Sequence, residues 1–286
     1  MTVKWRKYKK FSGCLIPGTV KVPVPGPHAT HIERAYYLTA KLEAPTYGSV
    51  QSYDGAAMSG GPLHNIAIYP RYMKQGSLFK LLEYLGDARI YDAYDKEGWL
   101  LTSHGLADAK GSLISASTIR NTFTPNNGRV PKEGPQWEQA KQWALLHHTV
   151  LSDPETFEQQ RKFAIRYLLR TQQAIEEVAY YRAGLSPYDR SVNPGLDLAF
   201  SVYHAHSVNA PGTARRVLKA SIGALPDTLK FSKRLIYKLG TRKYGNWRDT
   251  LDGRNRYDRT RIHAMRSKLW PRELFVGKQA IMPKNL

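Results

Sequence analysis

The stretch KLEAPTYGSVQSYDGAAMSGGPLHNI, residues 41–66, sets two carboxylates, Glu43 and Asp54, among Gly, Ser, Tyr and Gln. The chain around it is strongly basic, with 43 Lys and Arg against 23 Asp and Glu and a formal net charge of +20. The flanking elements give the two acids a place. Thr30-His31-Ile32-Glu33 has the form of a capping box, in which the Thr oxygen and the Glu carboxylate each satisfy an orphan backbone N–H. Ile32, Ala35, Tyr36, Thr39 and Leu42 then recur at three- and four-residue steps, which predicts a helix with one buried stripe. Pro45 stops it, because the residue before proline avoids the α region. Glu43 therefore ends the helix, where the dipole disfavours a negative charge. Such a placement raises a carboxyl pKa, which suits an acid that must carry a proton near neutrality. Residues 46–68, rich in Gly and Ser, read as a short hairpin or irregular strands. One carboxylate falls on a helix end and the other on a turn.

Outward from this strip the pattern is helical. GSLFKLLEYLG (76–86) spaces Leu78, Leu81, Leu82 and Leu85 as one face. A less regular region follows, and TPNNGRVPKEGP (124–135) reads as a surface loop. Residues 135–183 read as two helices, the second opened by Ser152-Asp153-Pro154. NPGLDLAFSVYHAHS (193–207), TARRVLKASIGAL, DTLKFSKRLIYKLG and the basic RNRYDRTRIHAMRSKLW (254–270) predict further helices. The expected fold class is mainly α (α+β), a helical domain with a small β-hairpin element near the N-terminus. Residues 1–28, basic and aromatic and then Pro-rich, read as an extended arm, and residues 29–286 as one domain.

Composition narrows the chemistry. A chain of 286 residues with 42% hydrophobic residues can bury a substantial core. Cys14 is the only cysteine, so no intramolecular disulfide and no zinc-ligand spacing exists. His147-His148 and His204-x-His206 read as ordinary helical histidines, and neither metal nor cofactor is expected. WRKYKKFSGCLIPG lacks the apolar stretch that a cleavable secretion signal requires, and no 18-residue apolar run predicts a membrane span. The positive charge points to polyanions as partners, either anionic envelope polymers or nucleic acid.

Glycoside cleavage needs a carboxylic acid to protonate the leaving oxygen, and a second group to help with the oxocarbenium-like charge. In order and spacing, Glu43, Gly48, Gln51, Tyr53, Asp54, Gly55, Ser59 and Gly61 resemble the active-site strip of the lysozyme-like superfamily. That superfamily includes phage-type lysozymes and lytic transglycosylases. Ser59-Gly60-Gly61-Pro62-Leu63-His64 matches the Thr-x-Gly-x-x-His of the phage-type enzymes, with Ser for Thr. Two features depart from the pattern. Asp54 adjoins Tyr53 instead of following one residue later, and the glutamine often found after Ser-x-Gly is replaced by His64 or Asn65. The resemblance implies a lysozyme-like fold and a glycosidase cleaving the bond between N-acetylmuramic acid and N-acetylglucosamine. It makes Glu43 the general acid, Asp54 a water-positioning or activating group and Ser59 an orienting hydroxyl. Tyr47, Gln51, Tyr53 and His64 become candidate sugar-binding residues.

Plainer readings stand beside each. Glu43 also reads as a solvated helix end, Asp54-Gly55 as a turn dipeptide, Ser59-Gly60-Gly61 as a tight bend, and His64, taken alone, as a packed histidine. The implied partners are peptidoglycan glycan strands and, through residues 1–28, a phage tail or baseplate. The implied location is a virion or the bacterial envelope. Two alternatives remain: a basic nucleic-acid-binding protein without enzymatic activity, and a structural virion protein with an inactive lysozyme-like domain. The first rests on Lys230–Lys268, where thirteen Lys or Arg face three Asp and Tyr244, Trp247 and Tyr257 are interleaved.

Overall fold

Helix α1 starts where the capping box places it. Thr30 N–H donates to the Glu33 carboxylate at 2.9 Å, and Glu33 N–H donates back to Thr30 Oγ1 at 3.4 Å. The computed structural model describes residues 2–167, 192–208, 211–225, 227–241 and 256–284. The second half of the helix expected after Ser152-Asp153-Pro154, with Leu168, Ile175 and Val178, lies outside them. In chain order the elements used below are β1 (Lys4–Tyr8), β2 (Phe11–Ile16), α1 (His31–Glu43), β3 (Val50–Gln51), β4 (Ser59–Gly60), β5 (Asn65–Ile66), α2 (Ser77–Leu85), α3 (Ala88–Lys96), β6 (Trp99–Thr102), β7 (Gly105–Asp108), α4 (Ala116–Phe123), α5 (Pro135–Leu151), α6 (Pro194–Ser207), α7 (Pro211–Ser221), α8 (Thr228–Thr241) and α9 (Arg256–Ser267). The fold is mainly α, with small antiparallel sheets, as an α+β chain.

Contacts divide the chain into two compact units. One comprises Met1–Val22 and Ala44–Phe163, the other Pro23–Glu43 and Ala164–Leu286. The sequence reading sets an arm over 1–28 and one domain over 29–286. β1 and β2 form a hairpin with Trp5 opposite Cys14, and they begin a five-stranded antiparallel sheet in the order β1-β2-β3-β4-β5. Lys4, Arg6, Lys7 and Tyr8 of β1 are exposed, whereas Ser12, Cys14 and Ile16 of β2 are buried. Lysines in this segment and prolines from Pro17 onward mask a strand signal that only pairing makes legible.

In the first unit the core gathers Cys14, Ile16, Met58, Leu78, Phe79 and Leu82 with Tyr94, Phe123 and Trp143 from α3, α4 and α5. The region expected to be irregular after Gly86 carries α3, β6, β7 and α4. Asp87 caps α3 by accepting from Arg89 N–H, and Ser115 caps α4 by accepting from Thr118 N–H. Both signals are short and polar, which hides them among loop residues. The loop expected at 124–135 contains one tight turn, Pro125–Gly128, with Asn126 and Asn127 in left-handed backbone.

His147 sits fully buried on α5. Its Nδ1 lies 2.7 Å from the Trp143 carbonyl, which can only accept, so Nδ1 carries the proton and Nε2 accepts from the Tyr94 hydroxyl at 2.8 Å. Burial holds this imidazole down to about 4 and pushes the Tyr94 phenol well above its ordinary value.

The second unit packs α1 on α6, and α6 on α7 and α8. Leu38, Leu196, Phe200, Tyr203, Phe231 and Leu235 are among its buried side chains. Asn193 caps α6, accepting from Leu196 N–H at 3.0 Å, with Pro194 in the first turn. Asp197, only 1% exposed, accepts from Arg34 Nε and from Trp270 Nε1, both at 2.7 Å. A carboxylate so buried is kept only by partners that satisfy both its charge and its lone pairs.

The histidine makes a pH prediction. A buried imidazole held below its unfolded value of 6.5 stabilises the fold above that pH, and the stabilisation is lost as pH falls toward about 4. Full protonation of His147 removes about 3 kcal/mol. Urea unfolding midpoints should therefore fall between pH 7 and pH 4, and His147→Gln should flatten part of that fall. A midpoint independent of pH in this window would contradict the assignment.

Candidate functional site

Glu43 is the last residue of α1 and belongs to the second unit. Its side chain is 9% exposed and pairs with Arg256 of α9, whose Nη2 donates to Glu43 Oε1 and also to the Ala205 carbonyl at 3.1 Å. Arg256 is itself buried, and burial first, then the neighbouring Arg259, brings its guanidinium down to about 10. Lys41, Arg259 and Arg266 all act on His263, which burial already holds below its ordinary value. Glu43 thus stands at a helix terminus against a buried guanidinium. No sequence signal announced Arg256, because the pairing spans more than two hundred positions along the chain.

Asp54 and Ser59 lie in the first unit, and the expected strip folds there as β3, β4 and β5 with their turns. Ser59 pairs with Gln51 on one side and Ile66 on the other. Gly60 lies so close to α5 that a Cβ there would meet Leu151 Cδ1 at 2.6 Å. From the same helix His148 Nδ1 donates to the Gly48 carbonyl at 2.5 Å. The strip is also bent into left-handed backbone at Ala57, Gly61, Leu63 and His64, with φ of 64°, 66°, 67° and 48°. For Leu63 this is a true outlier, and such strain persists only where the surrounding structure over-determines it.

The side chains of the strip divide by what they touch. Asp54 Oδ1 accepts from Ala56 N–H at 2.8 Å, and Oδ2 accepts from Gln51 Nε2 at 2.9 Å. Desolvation nevertheless lifts its pKa, outweighing those two hydrogen bonds. Tyr53 is half-buried, its phenol raised by desolvation and by Asp54 and lowered by Arg6. Ser59 is 1% exposed, and its Oγ finds no partner among the described residues. Tyr47, expected to meet sugar, is buried and stacks on Phe157 with ring centroids 4.2 Å apart. That stacking covers a ring face a sugar would need. His64 is held down to about 4 by burial, in keeping with the packed-histidine reading.

The seven expected residues therefore fall in two groups. Gln51, Tyr53, Asp54 and Ser59 are adjacent in one small sheet and its turns, together with Tyr47 and His64, whereas Glu43 closes a helix of the other unit. The aromatics offered for nucleic-acid binding fare differently. Tyr244 and Trp247 lie outside the described residues. Tyr257 is 2% exposed and its hydroxyl donates to the Pro283 carbonyl at 2.8 Å, so it is a packing residue. Among the described residues no cluster of His, Cys, Asp and Glu could hold a metal ion, and no helix is long and apolar enough to cross a membrane.

No protein-family model, curated protein or solved structure matches this chain.

Asp54 can be tested for a purely structural role. Asp54→Asn keeps the acceptor for Ala56 N–H, and Gln51 can turn its amide to accept from Asn, so the urea midpoint at pH 7 should be unchanged or slightly higher. Because the wild-type carboxyl titrates above its ordinary value, any advantage of Asn should shrink as pH falls and Asp54 protonates. Asp54→Ala loses both bonds and should cost about 1–3 kcal/mol.

Proposed function

We propose that this protein is a peptidoglycan-cleaving glycosidase of lysozyme-like type in which Glu43 is the general acid. The observation that carries the proposal is the confinement of Glu43: the final residue of α1, 9% exposed, with Arg256 as ion-pair partner. A solvated helix-end glutamate would have neither the burial nor the partner. The order of Tyr53, Asp54 and Ser59 after it, and the strained backbone between Ala57 and His64, also support the reading.

In the chemistry proposed, Glu43 donates its proton to the glycosidic oxygen as the C1–O bond breaks, leaving an oxocarbenium-like sugar. In a hydrolytic version water adds at C1 and releases its proton to solvent. In a lytic version the muramyl 6-hydroxyl adds instead and returns its proton to the Glu43 carboxylate, giving a 1,6-anhydro end. The net charge of +20 would concentrate the enzyme on an anionic envelope. Delivery with a virion to the cell wall completes the proposal, on the strength of the phage-type resemblance alone.

Mass spectrometry of muropeptides released from purified sacculi tests it. Wild type should release disaccharide peptides. Glu43→Gln should lower the rate by about 10²–10⁴-fold, the range for loss of a general acid. Glu43→Asp keeps the charge that pairs with Arg256 but withdraws the carboxyl by one methylene. It should fold, as read by its unfolding midpoint, and still cleave poorly. Wild-type inactivity, or unimpaired cleavage by both folded variants, would sink the reading.

A further inference from the structure

A cavity of about 320 Å³ opens in the first unit, lined by Lys10, Phe11, Arg120, Asn126, Asn127 and Arg129. Three of these are cations, and among the described residues none has a carboxylate within ion-pairing distance. They come from three separate places: the β1–β2 turn, helix α4 and the turn after it. No local sequence run therefore accounts for their meeting.

Arg120 is held in place rather than solvated. Its Nη2 donates to the Gly55 carbonyl at 2.9 Å, in the turn next to Asp54, and its guanidinium lies 5.5 Å from the Phe11 centroid. Its Nε is buried without a hydrogen-bond partner. Burial also lowers the Arg120 pKa, as expected where desolvation goes uncompensated. Lys10 Nζ lies 5.3 Å from the same ring centroid. Three unpaired cations round one hollow repel each other, and an anion would relieve both the repulsion and the desolvation.

The backbone that presents the other two residues is strained. Asn126, Asn127 and Gly128 have φ of 57°, 53° and 81°, three consecutive left-handed residues closed by Gly128 N–H donating to the Thr124 carbonyl at 2.8 Å. A Cβ on Gly128 would stand 2.9 Å from Phe11 Cδ1, so the turn needs glycine to pass over the ring. Left-handed asparagines cost free energy individually, and here the outcome is two amides at the rim of a cationic hollow.

We infer that this cavity binds a phosphate group of a polyol phosphodiester polymer, the chemistry of an anionic cell-wall chain. The three cations exceed the single charge of one carboxylate, whereas a phosphodiester chain brings successive phosphates to the hollow and its rim, with polyol hydroxyls for the two amides. Nucleic acid is disfavoured because Phe11, the one aromatic lining residue, lies beneath Gly128 with two cations over its ring, leaving it poorly placed to stack a base. The anion site stands apart from Glu43 and bond cleavage, whereas its assignment to a wall polymer rests on the envelope setting of the glycosidase reading.

The test is equilibrium binding by titration calorimetry and by NMR shift mapping on the full chain at constant ionic strength. The probes are inorganic phosphate, acetate, a glycerol-phosphate oligomer and single-stranded DNA. Wild type should bind phosphate more tightly than acetate, with shifts at Asn126–Arg129, and should bind the oligomer more tightly still. The double variant Lys10→Gln/Arg129→Gln, both at the cavity and neither needed by the core, should bind the oligomer at least tenfold more weakly with an unchanged thermal midpoint. Phosphate binding no tighter than acetate, or oligomer binding equal in the double variant, would overturn the site. DNA binding as tight as the oligomer and equally lost in the variant would overturn the assignment to a wall polymer. Sacculus cleavage by the double variant reads the other proposal separately, because Glu43 is untouched.

Discussion

A buried arginine cannot stand alone, and Arg256 organises much of the second unit around that fact. Its guanidinium reaches the Glu43 carboxylate at the end of α1 and the Ala205 carbonyl on α6, so three helices meet at one charge. Breaking a buried pair by removing one partner leaves the other ion desolvated, at a cost of about 3–5 kcal/mol. The Asp197 carboxylate, held by Arg34 and Trp270, repeats the same solution elsewhere between α1 and α6. Both pairs tie α1 to helices that come much later in the chain. The carboxylate offered as a catalytic acid is thus also a structural anchor.

The first unit solves a different problem. Its strip of small strands has too few residues to stabilise itself, since a lone two-stranded hairpin is at best marginal in water. Helix α5 supplies what is missing: Leu151 packs on Gly60, and His148 holds the Gly48 carbonyl. Gly, Ser and Tyr in this strip therefore serve close packing as much as any chemistry. Tyr47 and Ser59 illustrate the point, because burial takes both away from solvent. What the packing leaves at the surface is the cationic hollow beside Gly55, where Arg120 links the turn after Asp54 to α4.

The capping box at Thr30 and the proline at 45 made α1 legible to within a residue, because both signals act through the local backbone. The leucine spacing of 76–86 and the Asn193-Pro194 start were legible for the same reason. The hairpin at 4–16 was not. Its strands are stabilised by cross-strand partners that no local window contains, and lysines and prolines nearby point the other way. α3 and α4 were hidden by single polar caps in a stretch without a long apolar run. The division into two units was also beyond a linear reading, since each unit joins segments distant in sequence.

Sequence alone determined that Glu43 ends a helix and that Asp54 sits in a turn, because caps, breakers and turn residues act on their immediate neighbours. It also set the charge that makes anionic partners the physical expectation. Only the tertiary structure decided that Glu43 is ion-paired, that Tyr47 and Ser59 are buried, and that Lys10, Arg120 and Arg129 share one hollow. Those outcomes depend on which side chains desolvate one another. Desolvation is set by packing between segments far apart in the chain, and no spacing within a motif encodes it.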